Sequence, residues 1–421
     1  MPLDLLIRLF SSLKLTVVCL ALATILVFVG TLAQVTLGLY EVQARYFQSF
    51  FVYWSLPGTG VRIPVFPGGY LIGGVLLLNL LVAYAARLGL RRFNTGLLLI
   101  HSGLALLLLG QLWTDLSQRE SVMQLAEGQT KSYSESQRLT ELAILAPSDP
   151  GHDQVVAVPQ FHLRPGAEVR HPQLPFTIKV RQFWVNSTPL RGQTNAPPLA
   201  TRGIGQKEQF VERPLVTTTD TRNVPTAVIE IIGGGQSLGT WVVSDWLLEP
   251  QAVEFQGRTY QVALRLARYY KPFSITLLEA RHDKYSGTEI PKNFSSRVRV
   301  RHPGTGEDRE VLIYMNNPLR YGGFTFYQYQ MAADEAARQR MQRATSTLQV
   351  VQNPGWLVPY IACILVGLGL TLQFGTHLLG FARRRIPETH PRAPDAAEPA
   401  PGQRRARPSA LAATPATPSG S

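Results

Sequence analysis

A histidine lies deep inside a long apolar segment of this sequence. His101 belongs to residues 93–112, FNTGLLLIHSGLALLLLGQL, and follows Arg92, the last cation before the segment, by nine positions. With about 1.5 Å of helical rise per residue, the imidazole lies roughly 13 Å from that end. An ionisable group at this depth is costly and usually marks a ligand, proton or ion site that faces protein rather than lipid. The alternative is a neutral imidazole that is hydrogen-bonded to a neighbouring helix.

A second polar side chain lies at nearly the same depth in the preceding apolar segment. Asn79 comes eight residues before Arg87, whereas His101 comes nine after Arg92, so the two can be neighbours in a helical hairpin. For Asn79 we favour a hydrogen bond between helices over a role in a site. Arg87, Arg91 and Arg92 occupy the short connection, and the positive-inside bias places this connection on the cytoplasmic side.

Small residues define a different face of the helix that carries the histidine. Gly96, Gly103 and Gly110 recur every seven residues and therefore stack on one face, where another backbone can approach closely. At about 100° per residue, His101 is turned well away from this stripe. We predict that the glycine face packs inside this chain and that the histidine face meets a ligand or another subunit.

Four apolar segments are long enough to cross a membrane, since roughly 17–25 residues match a hydrocarbon core of about 30 Å. They are residues 13–33, 70–86, 93–112 and 356–372. The alternative for the first segment is a cleaved signal peptide. The sequence Leu32-Ala33-Gln34 is a poor cleavage site, however, and the segment is longer than a usual signal core. We therefore predict a membrane anchor there.

Residues 40–54 follow the first segment and are rich in aromatic side chains. On a helix, Phe47, Phe50, Phe51 and Trp54 share one face. This pattern predicts a helix that lies in the membrane interface, where aromatic rings are favoured. The alternative is a short loop helix that packs on the soluble domain.

The carboxyl end of the last apolar segment is strongly basic. Residues 383–385 are all arginine, so 354–386 are predicted to hold the fourth span and a cytoplasmic basic end. His377, six residues before Arg383, is expected to contact solvent or headgroups rather than a ligand. Residues 387–421 repeat Pro, Ala, Arg and Thr and are predicted to be disordered.

Residues 113–353 contain no spanning segment and are long enough for a whole domain. Short alternating or β-branched runs predict antiparallel strands near residues 175–185, 226–232, 273–280, 295–302 and 309–315. A helix is predicted for 334–345. The fold class is therefore a polytopic α-helical membrane protein with four transmembrane helices. A large mainly-β extracytoplasmic domain lies between the third and fourth helices, with both termini cytoplasmic.

Composition excludes several classes of function. The chain has 421 residues, 45% of them hydrophobic, and a net charge of +13, but its basic residues are not gathered with aromatics as nucleic-acid binding requires. Its two cysteines, Cys19 and Cys363, both lie in apolar segments. The chain therefore has no C-x-x-C redox pair and no C-x-x-C-H haem-attachment site, and is neither a thioredoxin-like reductase nor a c-type cytochrome.

Several segments resemble the ResB (also called CcsB) family of the system II cytochrome c maturation pathway. The first helix resembles the family's opening helix that ends in Gly-Thr, here Gly30-Thr31, and the second carries Leu-Asn-Leu around Asn79. In the outer domain the similar segments are Lys271 to Thr288, Lys292 to Val300 and, most specifically, YMNNPLRYGGFTFYQ from Tyr314 to Gln328.

The resemblance implies a protein of the bacterial inner membrane whose large domain faces the periplasm. Such a protein works with a CcsA-type partner that carries a tryptophan-rich (WWD) segment. Together they are thought to move haem b outward, keep it reduced and attach it to apocytochrome c. The six tryptophans of this chain are scattered. The attachment chemistry is therefore expected in the partner, and this chain is not expected to be an enzyme.

Within this resemblance, His101 becomes the candidate axial ligand of haem iron. Neutral imidazole is a common haem ligand, and its surroundings tune the metal. Arg87, Arg91 and Arg92 are weaker candidates that would pair with haem propionates at the cytoplasmic mouth. Asn79 is a weak candidate at the same site. No second ligand is evident within the membrane, so a five-coordinate haem or a histidine from the partner is implied.

Two other classes of function stay open. The chain can be a scaffold that binds apocytochrome, a periplasmic thiol reductase or the partner through its β domain, with His101 merely packed in an interface. It can also be a membrane-anchored sensor whose outer domain binds a small ligand. The absence of a segment resembling a cytoplasmic output domain counts against the sensor.

Overall fold

The structure is a computed structural model, and it describes residues 2–56, 58–88, 94–146, 154–190, 196–216, 221–288, 291–332 and 343–385. Apolar helices occupy the first third and the end of this part of the chain. A large β domain lies between the last two helices. Arg91, Arg92, most of the helix predicted for 334–345 and the tail predicted for 387–421 lie outside the described residues.

The described part of the chain forms helices before and after the β domain. They are α1 (Pro2–Phe10), α2 (Leu13–Leu37), α3 (Leu39–Val42) with a π-helical turn (Gln43–Phe47), α4 (Gly69–Leu88), α5 (Thr95–Ser117) and α6 (Val358–Arg385). Ser12 and Asn94 cap α2 and α5, because their side-chain oxygens accept hydrogen bonds from the backbone of Lys14 and Gly96.

Three helices are long and apolar enough to cross a membrane, namely Leu13–Leu37, Thr95–Ser117 and Val358–Arg384. The apolar part of α4, Gly69–Ala85, is shorter. A membrane protein with a mainly-β domain is therefore confirmed. The predicted count of four spans is not.

The helix predicted for residues 40–54 is wrong beyond Phe47. The chain instead forms a hairpin of β1 (Phe51–Ser55) and β2 (Arg62–Pro67). Aromatic and β-branched residues favour extended backbone, and two glycines in the connection, Gly58 and Gly60, adopt positive φ angles of 79° and 67°. The aromatic residues that share a helical face in the sequence are thus divided between a helix end and a strand.

Sixteen strands are formed by the described residues of the β domain, and the five runs that predicted strands are confirmed. The strands are β3 (Arg119–Ala126), β4 (Thr130–Ala146), β5 (Gln154–Pro159), β6 (Glu168–Val169), β7 (Phe176–Trp184), β8 (Ser187–Pro189), β9 (Phe210–Glu212), β10 (Thr226–Gly233), β11 (Gln236–Ser244), β12 (Gln251–Phe255), β13 (Arg258–Lys284), β14 (Pro291–His302), β15 (Glu307–Tyr314), β16 (Leu319–Tyr321), β17 (Phe324–Ala332) and β18 (Thr345–Gln352).

Two sheets carry most of these strands. The larger has the order β15-β14-β13-β4-β3-β18-β17-β16, with β12 beside β13 and β5 beside β4, and the smaller has the order β11-β10-β7-β6. One core, which includes Ile178 and Ile229, lies between the two sheets, and a second surrounds Phe273 and Phe326. The long strand β13 contributes to both cores, so it ties the two halves of the domain together.

The strands that enter and leave the domain are neighbours. β3 begins two residues after α5, β18 ends shortly before α6, and the two pair antiparallel from Arg119 opposite Gln352 to Ala126 opposite Thr345. The end of the sheet that carries Arg119 and Gln352 is therefore the membrane-proximal end.

The glycine stripe of α5 packs on α6, as predicted. Gly96, Gly103 and Gly110 are the buried residues of α5. A Cβ added at Gly103 would lie 2.6 Å from Val366 Cγ2, and one at Gly96 would lie 2.8 Å from the carbonyl oxygen of Gly369. The two backbones are in contact because these positions lack side chains. This contact places α5 and α6, and with them β3 and β18, side by side.

One lysine is buried in the larger sheet where the pairing of β13 with β4 shifts register. Lys271 is 7% exposed, and its Nζ donates to Ser134 Oγ at 2.6 Å and to the carbonyl oxygen of Tyr269 at 3.1 Å. The Nζ also lies 4.7 Å from the centre of the Phe324 ring. Burial lowers the pKa of Lys271 to about 8.

We expect the burial of Lys271 to make the protein more stable as the pH rises from about 8 to 10. In this range the unfolded chain still holds the lysine proton, whereas the folded chain releases it, so the free energy of unfolding increases with pH. Over this pH range the thermal midpoint of the wild type should rise by roughly 2–4 °C relative to that of Lys271→Met, whose side chain does not titrate. A pH profile of thermal unfolding for both proteins tests this, and parallel profiles would contradict it.

Candidate functional site

A cavity of about 590 Å³ lies between α2, α4 and α5. This volume is within the range of about 300–1,000 Å³ that is typical of small-molecule and cofactor sites. Most of the wall is leucine, and the polar groups of the wall include Thr16, Asn79 and His101. Whereas α5 packs closely on α6, the cavity separates it from α2 and α4. The opposite face of α5 is therefore open to a ligand.

His101 lies on the wall of this cavity and is half-buried. Its Nδ1 is 2.8 Å from the carbonyl oxygen of Leu97, one turn earlier. A carbonyl oxygen only accepts, so Nδ1 is the nitrogen that carries the proton and donates. The neutral ring then has its lone pair on Nε2, which is the arrangement that a metal-ligating histidine needs. Asn94, seven residues before His101, caps the helix and fixes its first turn.

Asn79 lines the same cavity as His101, so the two polar groups that the sequence places at equal depth do lie around one space. Its hydrogen bonds, however, are used within the protein. Asn79 Oδ1 accepts from Thr16 Oγ1 at 2.7 Å, and Nδ2 donates to the carbonyl oxygens of Phe10 at 2.5 Å and Ser12 at 3.1 Å. These bonds hold α4 against the junction of α1 and α2. The predicted interhelical role of Asn79 is confirmed, but its hydrogen bonds join α4 to α1 and α2, whereas the sequence predicts that they hold the hairpin of α4 and α5 together.

The remaining predicted residues are placed differently. Arg87 lies in the last turn of α4, and Arg91 and Arg92 are outside the described residues. Their pairing with propionates stays a prediction. His377 lies on α6, where its Nε2 accepts a hydrogen bond from Gln373 Nε2 at 2.9 Å, and it does not line the cavity.

Sequence reasoning missed several polar groups at the edge of the cavity. Ser11, Thr16 and Asn94 all lie near helix N-termini and line its wall. The available signal was their position at or beside the ends of apolar segments, where small polar residues usually serve as helix caps. Capping explains Asn94, but only the packing of the helices shows that these residues border one space.

Comparison with known proteins concerns the β domain. Residues 251–343 match the model of the ResB-like family. Over this segment the chain is similar to the ResB-like family. It is also similar to Protein NrfI of Wolinella succinogenes, with 33% identity over 99 residues. That alignment covers 24% of this chain and 10% of the relative's length.

The ResB-like segment extends from β12 to just before β18 and builds much of the second core. Its turn Gly322-Gly323 has positive φ at both residues, 59° and 81°. A Cβ at Gly322 would lie 2.8 Å from Phe273 Cε1, so only glycine fits there. The sequence YGGFTF therefore reflects a tight hairpin closed over the aromatic ring of Phe273.

Proposed function

We propose that this ResB-like chain is a cytochrome c maturation factor that handles haem within the membrane. The observation that carries the proposal is His101, whose Nδ1 donates to Leu97 and whose Nε2 is left to ligate iron in an apolar cavity. Apolar surroundings suit the macrocycle, and an imidazole supplies one axial bond. Haem b is the cargo in this proposal rather than a permanent part of the protein.

We further propose that α4 is the fourth membrane span. It has 20 residues, Gly69–Leu88, with Arg87 at one end. The positive-inside bias at Arg87 and at residues 383–385 supports an inner-membrane topology with both termini cytoplasmic and the β domain periplasmic. In this topology the polar edge of the cavity near Asn94 opens toward the cytoplasmic side, where Arg87, Arg91 and Arg92 would meet the propionates.

The chemistry of attachment would reside in a CcsA-type partner. Among the described residues there is no group of three or more His, Cys, Asp or Glu that could hold a metal, so His101 would supply a single bond to the iron. The second axial bond would come from the partner, or the haem would be five-coordinate. In this proposal the chain presents haem and the partner carries out the attachment.

A scaffold function is the second candidate. It is favoured by the position of the family match, because residues 251–343 lie within the β domain and include none of the residues that line the cavity. In this case the β domain would bind apocytochrome, a thiol reductase or the partner, and the chain would not contact haem.

Deletion of the gene tests the role in cytochrome c maturation that the haem-handling and scaffold functions have in common. We expect cells that lack this chain to contain at least about tenfold less holocytochrome c, measured by haem staining and by the α-band of reduced membranes, while the apocytochrome is still synthesised. Re-expression of the full chain should restore the haem-bound form. Normal holocytochrome c in the deletion strain would contradict both the haem-handling and the scaffold function.

A further inference from the structure

A second cavity of about 390 Å³ lies at the membrane-proximal end of the larger sheet. Its wall brings together residues that are far apart in the sequence, including Arg119 and Ser121 of β3, Ser134 of β4, Arg268 of β13 and Gln352 of β18. The cavity is separate from the one that contains His101. Its volume is about two thirds of that of the cavity between the helices.

Positive charge dominates this cavity. In the part of the chain that the structure describes, Arg119 forms no ion pair, and its guanidinium lies over the Tyr269 ring at 4.9 Å. Arg268 forms an ion pair with Glu135, in which Arg268 Nε lies 3.0 Å from Glu135 Oε1. Beneath the wall, the ammonium group of Lys271 contacts Ser134 and has no carboxylate partner among the described residues. The charged residues among the described lining of the cavity are therefore Arg119 and Arg268, both cationic.

The two serines of the wall are hydrogen-bonded within the protein. Ser121 Oγ and Ser134 Oγ are 2.8 Å apart, Ser134 accepts from Lys271 Nζ, and Ser121 Oγ donates to the carbonyl oxygen of Val350 at 3.3 Å. The two guanidinium groups add planar donors that match the oxygens of phosphate or carboxylate. Such a set of donors in a partly closed space is complementary to a tetrahedral anion with several oxygens.

The cavity lies next to the membrane surface. Arg119 follows the end of α5 by two residues, and Gln352 precedes α6 by six. Near the same junction, the guanidinium of Arg320 lies over the Trp356 ring at 4.9 Å, and that of Arg138 lies over the Tyr40 ring at 4.3 Å. Arginine with tryptophan and tyrosine is the usual composition of a protein surface at the level of the headgroups.

We propose that this cavity binds the phosphate of an anionic headgroup. The phosphate can be presented by a phospholipid in the leaflet that faces the β domain or by a soluble phosphate ester. Bound lipid would fix the tilt of the β domain on its two supporting helices, because the cavity lies at the end of β3 and β18. The inference goes beyond the proposed function and does not depend on haem.

The test uses the full chain, purified in detergent and freed of lipid. Native mass spectrometry would measure retention of added phosphatidylglycerol, with phosphatidylcholine as the zwitterionic comparison. Glycerol 1-phosphate and inorganic phosphate would be titrated as soluble probes, by competition and by thermal shift. We expect phosphatidylglycerol to bind at least about tenfold more tightly to the wild type than to Arg119→Gln, since a charge-assisted hydrogen bond is lost.

Two further variants distinguish binding in this cavity from a general attraction between a basic protein and an anionic lipid. Arg119→Lys keeps the charge and should recover part of the binding. Arg170→Gln removes an exposed arginine that pairs with Glu168 at 2.6 Å and should bind like the wild type. If glycerol 1-phosphate competes with the lipid and its binding depends on the same residues, the cavity binds phosphate from a soluble ester. If only the lipid is retained, the cavity binds the phosphate of a lipid headgroup. Equal binding by the wild type and Arg119→Gln, or equal losses in both Gln variants, would overturn the proposal.

Discussion

We expect haem to be lost from the protein when His101 is replaced by alanine. We expect the wild-type chain, purified with its partner, to show a Soret band, and His101→Ala to lose most of it or to show it shifted. The physical reason is the loss of Nε2, the one nitrogen in the cavity that is held in position to ligate iron. Haem content by pyridine haemochrome and the Soret position measure the effect, and holocytochrome c should fall at least about tenfold in cells.

The chain provides a matched control for this substitution. His377 is a second histidine on an apolar helix, but it pairs with Gln373 on α6 and lies outside the cavity. His377→Ala should keep its haem and its Soret band. An unchanged haem content in His101→Ala would contradict the proposal that this residue binds haem. The scaffold function would then be the remaining candidate. Equal losses in both variants would indicate general damage to the helices rather than loss of a ligand.

The helices and strands of this protein are largely determined by local patterns of side chains. The apolar segments that become α2, α5 and α6 are long enough to span, and alternation is clear in runs such as TAVIEII, which becomes β10. The hairpin of β1 and β2 was missed because FVYWS suits both an aromatic helix face and a strand. Only its pairing with residues 62–67 decides between them.

The candidate site was predictable in part. The depth of His101 and Asn79 follows from counting residues from the flanking arginines, and both line one cavity. The cavity itself depends on how far α5 stands from α2 and α4, which no local pattern specifies. The membrane-proximal cavity was not predictable, because Arg119 and Arg268 are brought together by the order of strands in the sheet.

The two faces of α5 connect the site to the fold. One face is fixed on α6 by glycines, and the other carries His101 into the cavity. Because β3 continues from α5 and β18 leads into α6, any change in the spacing of these helices also reaches the β domain. The glycine contact is therefore expected to control the stability of the whole assembly as well as the position of the imidazole.

Replacement of Gly103 by leucine should separate α5 from α6. Even a Cβ would lie 2.6 Å from Val366 Cγ2 and 2.8 Å from the carbonyl oxygen of Ala362, and a backbone atom cannot yield as a flexible side chain can. Lipid offers no hydrophobic drive to hold helices together, so their association depends on this close packing. Overpacking commonly costs about 1–3 kcal/mol, and we expect a thermal midpoint lower by roughly 5 °C.

Gly367→Leu on α6 is the matched control, since a Cβ there has no atom within 4 Å, and it should unfold like the wild type. Equal midpoints for both variants would mean that the glycine stripe does not hold α5 and α6 together.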